Sequence, residues 1–540
     1  MMSTPETNQP PPFEGRNLYL TDPALQRTVQ REGGGWAHDR LAAWGEVLGR
    51  AETFALATRA NRFTPELRTH DRFGARIDEV AYDPSWHELM ALAAREGEHC
   101  APWVEARPGA QVARAAAYLL HAEVENGTQC PLTMTYASVP VLRKHATSLP
   151  AVSETWLPRI LARDYDPRSL PVAHKRSALV GMGMTERQGG SDVRANLTAA
   201  KRTQDGSYSL TGHKWFFSAP MCDAHLVLAQ ASSGLSCFFL PRLLPDGTRN
   251  AVRIQRLKDK LGNRSNASSE VEFDDATAWL LGEEGRGVAV IIEMVQHTRL
   301  DCAIGSAGLI RGAVAQALHH ARHRRAFGRR LVELPLMQNV LSDLVLEAEA
   351  ATALALRLAR TFEADAASED VALARLATPA LKYWICKRAP ATLAEAAEVL
   401  GGNGYVEESP LPRMYREAPL NSIWEGSGNV ISLDVLRAAQ REPASIDALC
   451  VELDLARGAD PRLDRYVATL VASLRKVEGE RDARRIAGGI AMALAASLLV
   501  RNAPAAVADA YCASRFAESG AVFGTLPSGI DCNAVLTAVA

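Results

Sequence analysis

The chain has 540 residues, 47% hydrophobic and 23% charged, a globular balance with enough length to bury several cores. Its formal net charge of -2 argues against a global basic field for nucleic acid, so any DNA contact has to come from a local patch. The nine cysteines form no CxxC pair, which argues against structural zinc or a disulfide framework and fits reduced thiols in a cytoplasmic protein.

The first stretch, "MMSTPETNQPPPFEG", lacks a basic start before an apolar core and reads as a flexible polar arm, not a secretory signal. Within 1–175 the pattern is helical. "DRLAAWGEVLGRAETFALATRA", "WHELMALAAREGEH" and "ARAAAYLLHAEVENG" repeat apolar residues at three- and four-residue spacing, so each buries one face. Over 176–282 the character changes. "GSYSLTGHKWFFSAP", "DAHLVLAQA", "LSCFFLP" and "SSEVEFDDATAWLLG" are strand-like, with turn residues between them. A second helical block follows over 283–442, and a third, alanine-rich one over 443–540, punctuated by Pro443, Gly458 and Pro461. The longest apolar run, 486–500, is shorter than the roughly 20 residues that span a bilayer and reads as a buried helix, not a membrane segment. The expected architecture is mainly α with a central β domain and a C-terminal helical extension.

Four stretches carry candidate chemistry. In "MGMTERQGGSDV", hydroxyls and glycines at a strand end offer N–H groups to an anion or a flat polar ring, or form a plain turn. In "GHKWFFSAP", Phe216 and Ser218 are two apart and share a strand face, suiting an aromatic cofactor or forming a surface stripe. In "RRAFGRRLVELPLMQ", the Arg324 fork matches phosphate oxygens or sits in a solvated charge cluster. Last, "EVLGGNGYVEESPLPRMYREAPLNSIWEGSGN" joins the turn at Gly401 and Gly402 to Glu425. That carboxylate beside Trp424 is either a partly desolvated base or a capping or salt-bridged glutamate.

In this order and spacing the four stretches, with "LLGEEGRGVAVIIEMVQHTR", resemble the TEPxAGSD, LLGxEGxG, R-x-x-F-G, GGxG and YEGT elements of the acyl-CoA dehydrogenase family over about 50–440. The resemblance implies a helical domain, a β-barrel domain and a helical bundle domain, with FAD bound and a homotetrameric assembly. By it, Met184, Thr185, Gly190 and Ser191 hold the flavin ring and pyrophosphate, and Phe216 stands where a stacking Trp is common. Ser218 hydrogen-bonds near the flavin N5, and Ser427 and Asn429 touch FAD. Arg324, Phe327, Gln338, Gly401 and Gly402 reach the FAD of a neighbouring subunit. Glu425 matches the base that removes an α-proton from an acyl-CoA thioester while hydride leaves the β-carbon for flavin. Ser191, Trp424 and Arg299, a structural or substrate-side arginine, accompany the substrate. Family members with the base on an earlier helix carry it where this chain has Thr298, which cannot serve. The departures from the pattern are Arg187 for proline, Trp424 for tyrosine, and Pro335 and Glu398 for glutamines, and they point away from fast, ordinary fatty acyl oxidation.

"NLYLTDPAL", "GMGMTERQGGSDV", "LKDKLGNRSNAS", "ICKR" and "NSIWEGSGN" resemble a narrower branch, the adaptive-response flavoproteins of bacteria, over nearly the whole chain. That branch implies weak dehydrogenation of a short branched acyl-CoA such as isovaleryl-CoA. It also implies double-stranded DNA binding by the C-terminal segment in the response to alkylation damage. The alternatives are a DNA-protecting flavoprotein with a vestigial dehydrogenase site, and flavin-dependent oxidation of alkylating agents. Residues 445–540 hold ten Lys/Arg against eleven Asp/Glu, but "RKVEGERDARR" gathers Arg475, Lys476, Arg481, Arg484 and Arg485. On a helix, Arg481, Arg484 and Arg485 share one face. With Arg437 they could neutralise phosphates without reading bases, or lie on a solvated helix laced by Glu478, Glu480 and Asp482.

Overall fold

In the computed structural model the described residues are 8–146, 149–476, 479–517 and 520–539, so the start of the expected arm (1–7) and Glu478 lie outside them. Three helices start at Asp-Pro pairs. Asp22 accepts the Leu25 N–H before Pro23–Arg31, Asp83 the Ser85 N–H before Pro84–Glu96, and Asp460 two N–H groups before Pro461–Arg475. The carboxylate satisfies an otherwise orphaned donor, and proline at the first helical position loses no bond. The chain is mainly α with a central β region, and it divides into two compact units.

The β unit comprises Ala55–Ala106 and Glu125–Thr298. A hairpin of β1 (Glu66–His70) and β2 (Arg76–Ala81) precedes the main sheet. The main sheet contains β3 (Val180–Gly183), β4 (Ala199–Arg202), β5 (Tyr208–Ser218), β6 (Ala224–Ala231), β7 (Gly234–Pro241), β8 (Val252–Leu257) and β9 (Ser268–Leu281). β4 pairs with β5, β5 with β9, β9 with β7, β7 with β6, and β6 returns to β4 through Ala199 and Gln230. The ring closes as a small barrel, with β3 parallel to β6 on its flank and β8 beside β9. Closure leaves few free edges, and alternate side chains such as Val227 and Ala229, Phe238 and Leu240, and Val271 and Phe273 fill the interior.

β5 departs from strict alternation. Its register against β9 shifts between Lys214 and Phe217. Such a bulge inserts an extra residue and re-aims its neighbours. Here Lys214 and Phe217 are buried, while Trp215 is half-buried and Phe216 exposed.

The helical unit holds the described parts of Met1–Phe54, Arg107–Val124 and Arg299–Ala540. Every residue of Ala110–Ala122 is buried, and this helix packs on Pro335–Arg360. Gly287–His323 enters this unit at Arg299, and Ser368–Val399 packs on Pro335–Arg360. Gly308 allows a close approach of two helices, since a Cβ there would lie 2.4 Å from the Leu119 carbonyl oxygen. The segment expected as an extension is built into the same unit. Ala483–Asn502 packs on Pro335–Arg360, Ser368–Val399 and Gly428–Arg441. Glu452 accepts Arg357 Nη2 at 2.7 Å and Arg501 Nη2 at 2.6 Å. Among the described residues one helical stretch, Glu480–Asn502, is long and apolar enough to cross a membrane, and most of it is buried as a core helix.

The arm expected to be flexible is fastened from residue 8 onward. Asn8 Oδ1 accepts the Arg325 N–H at 3.0 Å, Pro11 O lies 2.8 Å from His319 Nε2, and the Gly15 N–H reaches Gly49 O at 2.8 Å. All nine cysteines are reduced thiols, with Cys450 and Cys532 partly exposed and the rest buried.

Candidate functional site

The sequence-predicted residues fall into one group in each unit. In the β unit, β3 ends at Gly183 and leads into Met184 and Thr185. Backbone bonds hold the next turn, with Glu186 N–H to Gly189 O at 3.3 Å and Gly189 N–H to Glu186 O at 3.0 Å. Gly189 needs its φ of 141°, which side chains rarely adopt. The Thr185 side chain fills the space beside Gly190, where a Cβ would stand 2.5 Å from Oγ1. Gly190 and Ser191 are exposed.

The acid of this motif turns inward. Glu186 is fully buried, accepts Lys214 Nζ at 2.7 Å and receives the Leu197 N–H at 2.7 Å. Burial opposes its charge, but Lys214, Thr198 and the Leu197 N–H outweigh it and hold the carboxyl down at about 2. Glu186 therefore fastens the loop and leaves the glycines and hydroxyls outward.

Phe216 is 52% exposed beside this loop's own anchor, since the neighbouring Trp215 N–H donates to Thr185 O at 2.9 Å. Ser218 Oγ lies 3.3 Å from Ser268 Oγ, which accepts from Lys260 Nζ at 3.0 Å. Lys258 Nζ stands 4.8 Å from the centre of the Phe216 ring. Sequence reading missed the roles of Ser268, Lys258 and Lys260, although "LKDKLGNRSNAS" contains all three.

In the helical unit, Glu425 lies in left-handed backbone with φ 56°, and Gly426 follows at 109°. A non-glycine residue there costs about 1–3 kcal/mol, so surrounding bonds must hold it. Three consecutive carbonyls are fastened by two buried cations. Lys382 Nζ donates to Trp424 O at 2.5 Å and Gly426 O at 2.7 Å, and Arg299 Nε donates to Glu425 O at 3.0 Å. Asp434 in turn receives Arg299 Nη1 at 2.7 Å and Arg375 Nη2 at 3.2 Å. Arg299, allowed a substrate-side place by the sequence, is thus buried and engaged beneath the loop. Trp424 and Glu425 themselves are half-buried, and Thr298 only donates to Val295 O within its helix.

Ser427 is the N-cap of Gly428–Arg441 and makes no side-chain capping bond, which leaves its exposed hydroxyl at a helix N-terminus. Asn429 Oδ1 accepts Arg484 Nε at 2.8 Å. Arg484, expected among the phosphate-neutralising arginines, thus reaches the first turn of Gly428–Arg441. Arg481 lies in the 3-10 turn Glu480–Asp482, which leads directly into the helix that starts at Ala483 and carries Arg484 and Arg485.

Arg324, expected to clamp phosphate, gives Nη1 to Asn8 O at 2.7 Å. Phe327 and Gly328, with φ 53° and 77°, form the two-residue tip of a short hairpin, and Phe327 is 94% exposed. Gln338 is half-buried near the start of Pro335–Arg360. Gly401 has φ 60°, and both Gly401 and Gly402 face open space, while Asn403 Nδ2 reaches Gln9 Oε1 at 2.8 Å. The arm therefore touches both segments expected to face a neighbouring subunit.

The model of the AidB N-terminal domain, an adaptive response protein, matches residues 8–167. The acyl-CoA dehydrogenase middle domain matches 181–276, and its C-terminal domain 285–440. The putative acyl-CoA dehydrogenase AidB of Escherichia coli (strain K12) is 50% identical over 94% of this chain and 93% of its own length. The chain belongs to the acyl-CoA dehydrogenase family. Acyl-CoA dehydrogenase family member 11 of Caenorhabditis elegans is 32% identical over 78% of this chain and 70% of that protein. The crystal structure of Caenorhabditis elegans ACDH-11 in complex with C11-CoA superposes with a TM-score of 0.86 at 28% identity, covering 96% of this chain and 94% of that one.

Members of this family are FAD-dependent oxidoreductases, and this chain is one of them. Its residues fit the group: in the β unit Gly190 and Ser191 stand exposed on the loop after β3, and the exposed ring of Phe216 shares a strand with Ser218. The proline that replaces a family glutamine at 335 has a physical reason, since Pro335 is the first residue of its helix. The residue missed in this unit is Lys382. The signal was a lone lysine within the apolar run "ATPALKYWIC".

Proposed function

We propose that the protein removes hydrogen across the α,β bond of a short branched acyl-CoA such as isovaleryl-CoA, with Glu425 as base. The observation that carries this reading is the Glu425 loop, a carboxylate in left-handed backbone fastened by Lys382 and Arg299. Glu425 takes the α-proton as the α,β double bond forms, and FAD supplies the acceptor for the hydride that leaves the β-carbon. Met184, Thr185, Gly190, Ser191, Phe216 and Ser218 bind and orient the flavin, and Ser427 and Asn429 add further polar groups to its binding. Trp424, bulkier than tyrosine, shortens the room for the acyl chain. An anaerobic titration of the flavin band with straight and branched acyl-CoAs tests this. Bleaching with isovaleryl-CoA is expected, and Glu425→Gln is expected to abolish it while FAD stays bound. No bleaching by any acyl-CoA in FAD-loaded protein would move the reading to a vestigial site or to oxidation of alkylating agents.

The second part of the proposal is that this cytoplasmic protein binds double-stranded DNA as a homotetramer in the response to alkylation. Arg437, Arg475, Lys476 and Arg481 are exposed and have no carboxylate within 4 Å among the described residues. Arg485 pairs with Asp482 at 3.1 Å and contributes less. Binding of this kind releases counterions, so log affinity is expected to fall linearly with log salt. In the double variant Arg437→Glu, Arg481→Glu the slope is expected to become shallower by about 0.9 for each phosphate that is no longer neutralised. An unchanged slope would remove these residues from the interface.

A further inference from the structure

The β unit has a cavity of about 240 Å³ that includes none of the residues assigned above. It lies against Pro84–Glu96, the approach to β6 and the residue after β7. Its walls are aromatic. Tyr82 and Trp86 stack with centres 4.8 Å apart, and His87 and Tyr165 stack at 5.8 Å with His87 Nδ1 2.9 Å from the Tyr165 hydroxyl.

The three acids on its lining are each paired. Asp223 is taken by Lys175 at 2.6 Å and by the Leu179 N–H at 3.0 Å. Asp166 is taken by Arg168 at 2.7 Å and the Arg176 N–H at 3.0 Å, and Glu79 by Arg249 at 3.4 Å. Burial holds the His87 imidazole below its ordinary value, so it brings no charge at neutral pH. Arg242 remains. It is 9% exposed, its side chain makes one hydrogen bond, from Nη1 to Ser169 Oγ at 3.0 Å, and its buried Nε has no partner among the described residues. A guanidinium cannot shed its proton in a protein, and an unpaired buried charge is costly.

We propose that this cavity binds a small flat carboxylate, its charge against Arg242 and its body against Tyr82, Trp86 and Tyr165. A guanidinium edge matches a carboxylate in two parallel hydrogen bonds. The cavity is smaller than the 300–1,000 Å³ typical of drug-sized sites, which excludes an acyl-CoA or a nucleotide.

The test uses FAD-loaded protein and benzoate, with acetate and inorganic phosphate as comparisons. A ligand that binds the folded state alone raises Tm in a saturable way. Benzoate is expected to do so, with acetate weaker, phosphate without effect and the flavin absorbance band unmoved. Arg242→Gln should lose the response, but it could also fail to fold. Ser169→Asp is the safer variant, because exposed residue 169 would then give Arg242 a carboxylate of its own. It is expected to keep or raise Tm and to lose the benzoate response. No saturable response in the wild type, an equal response in Ser169→Asp, an equal response to phosphate, or a flavin shift that places benzoate in the redox site would each overturn the proposal.

Discussion

Glu123 and Glu186 are both buried carboxyls, and their surroundings push them in opposite directions. Lys214 and backbone N–H groups hold Glu186 down at about 2. Glu123 lines a second cavity, in the helical unit, with no hydrogen bond to Oε1, and burial, with Asp22 adding, raises it from 4.5 to about 8. Below about 4.5 both folded and unfolded chains keep the Glu123 proton. Between 4.5 and about 8 the unfolded chain loses it first, so stability falls as pH rises through that window. At about 1.4 kcal/mol per pKa unit the effect is a few kcal/mol. Glu123→Gln is therefore expected to match the wild type near pH 4.5 and to melt at higher temperature at pH 8, read by thermal unfolding at the two pH values. Neither residue's role was legible in the sequence. "HAEVENG" and "MTERQGG" show only a glutamate in a helix end and a loop, because what distinguishes them is a lysine on another strand in one case and, among the described residues, a buried oxygen with no hydrogen bond in the other.

At the scale of elements, helix Ser368–Val399 sets the shape of the Glu425 loop. Lys382, 1% exposed, gives two bonds to it across 42 and 44 residues of chain. Lys382→Met would leave two carbonyls without their cation, a loss on the order of 2–4 kcal/mol. It would also free Glu425 to relax from its left-handed backbone. The expected result is a lower urea midpoint and slower bleaching by acyl-CoA in protein that still carries FAD. The motif "WEGSGN" pointed to Glu425 because glycines and a carboxylate are adjacent in sequence, whereas Lys382 and Asp434 converge on it only through packing. The strand-like stretches also read directly, since alternation is local. The bulge in β5 did not, because it appears only against β9. The three Asp-Pro starts are as local as a signal can be. The bond from Arg484 to Asn429 was not legible, because it joins two helices that lie far apart in sequence.

For the whole molecule, the helical unit exposes Phe327 at 94%, Leu336 at 84% and Tyr405 at 88%. Exposed apolar side chains of this size are ones that the proposed homotetramer would cover. Phe327→Asp is expected to lower the sedimentation coefficient from that of the proposed tetramer and to leave the thermal stability of the dissociated chain little changed. An unchanged coefficient would take the hairpin tip out of the interface. The family resemblance and the mainly helical architecture with its central β region were legible because the glycine motifs stand in order along the chain. The interleaving of the two units along the chain was not. Residues 1–54 and 107–124 join 299–540, an association set by non-local packing rather than by any pattern within a segment.

That interleaving has a consequence for biosynthesis. Every strand of the β unit has left the ribosome once residue 298 has emerged, so the barrel can close while translation continues. The wholly buried Ala110–Ala122 must wait for Pro335–Arg360, on which it packs, and Pro335–Arg360 in turn waits for Ala483–Asn502, nearly two hundred residues beyond 298. A nascent chain arrested before that point is expected to display a finished barrel beside unsheltered apolar helices. That makes it a natural client for chaperones that hold a chain until its last residues are made.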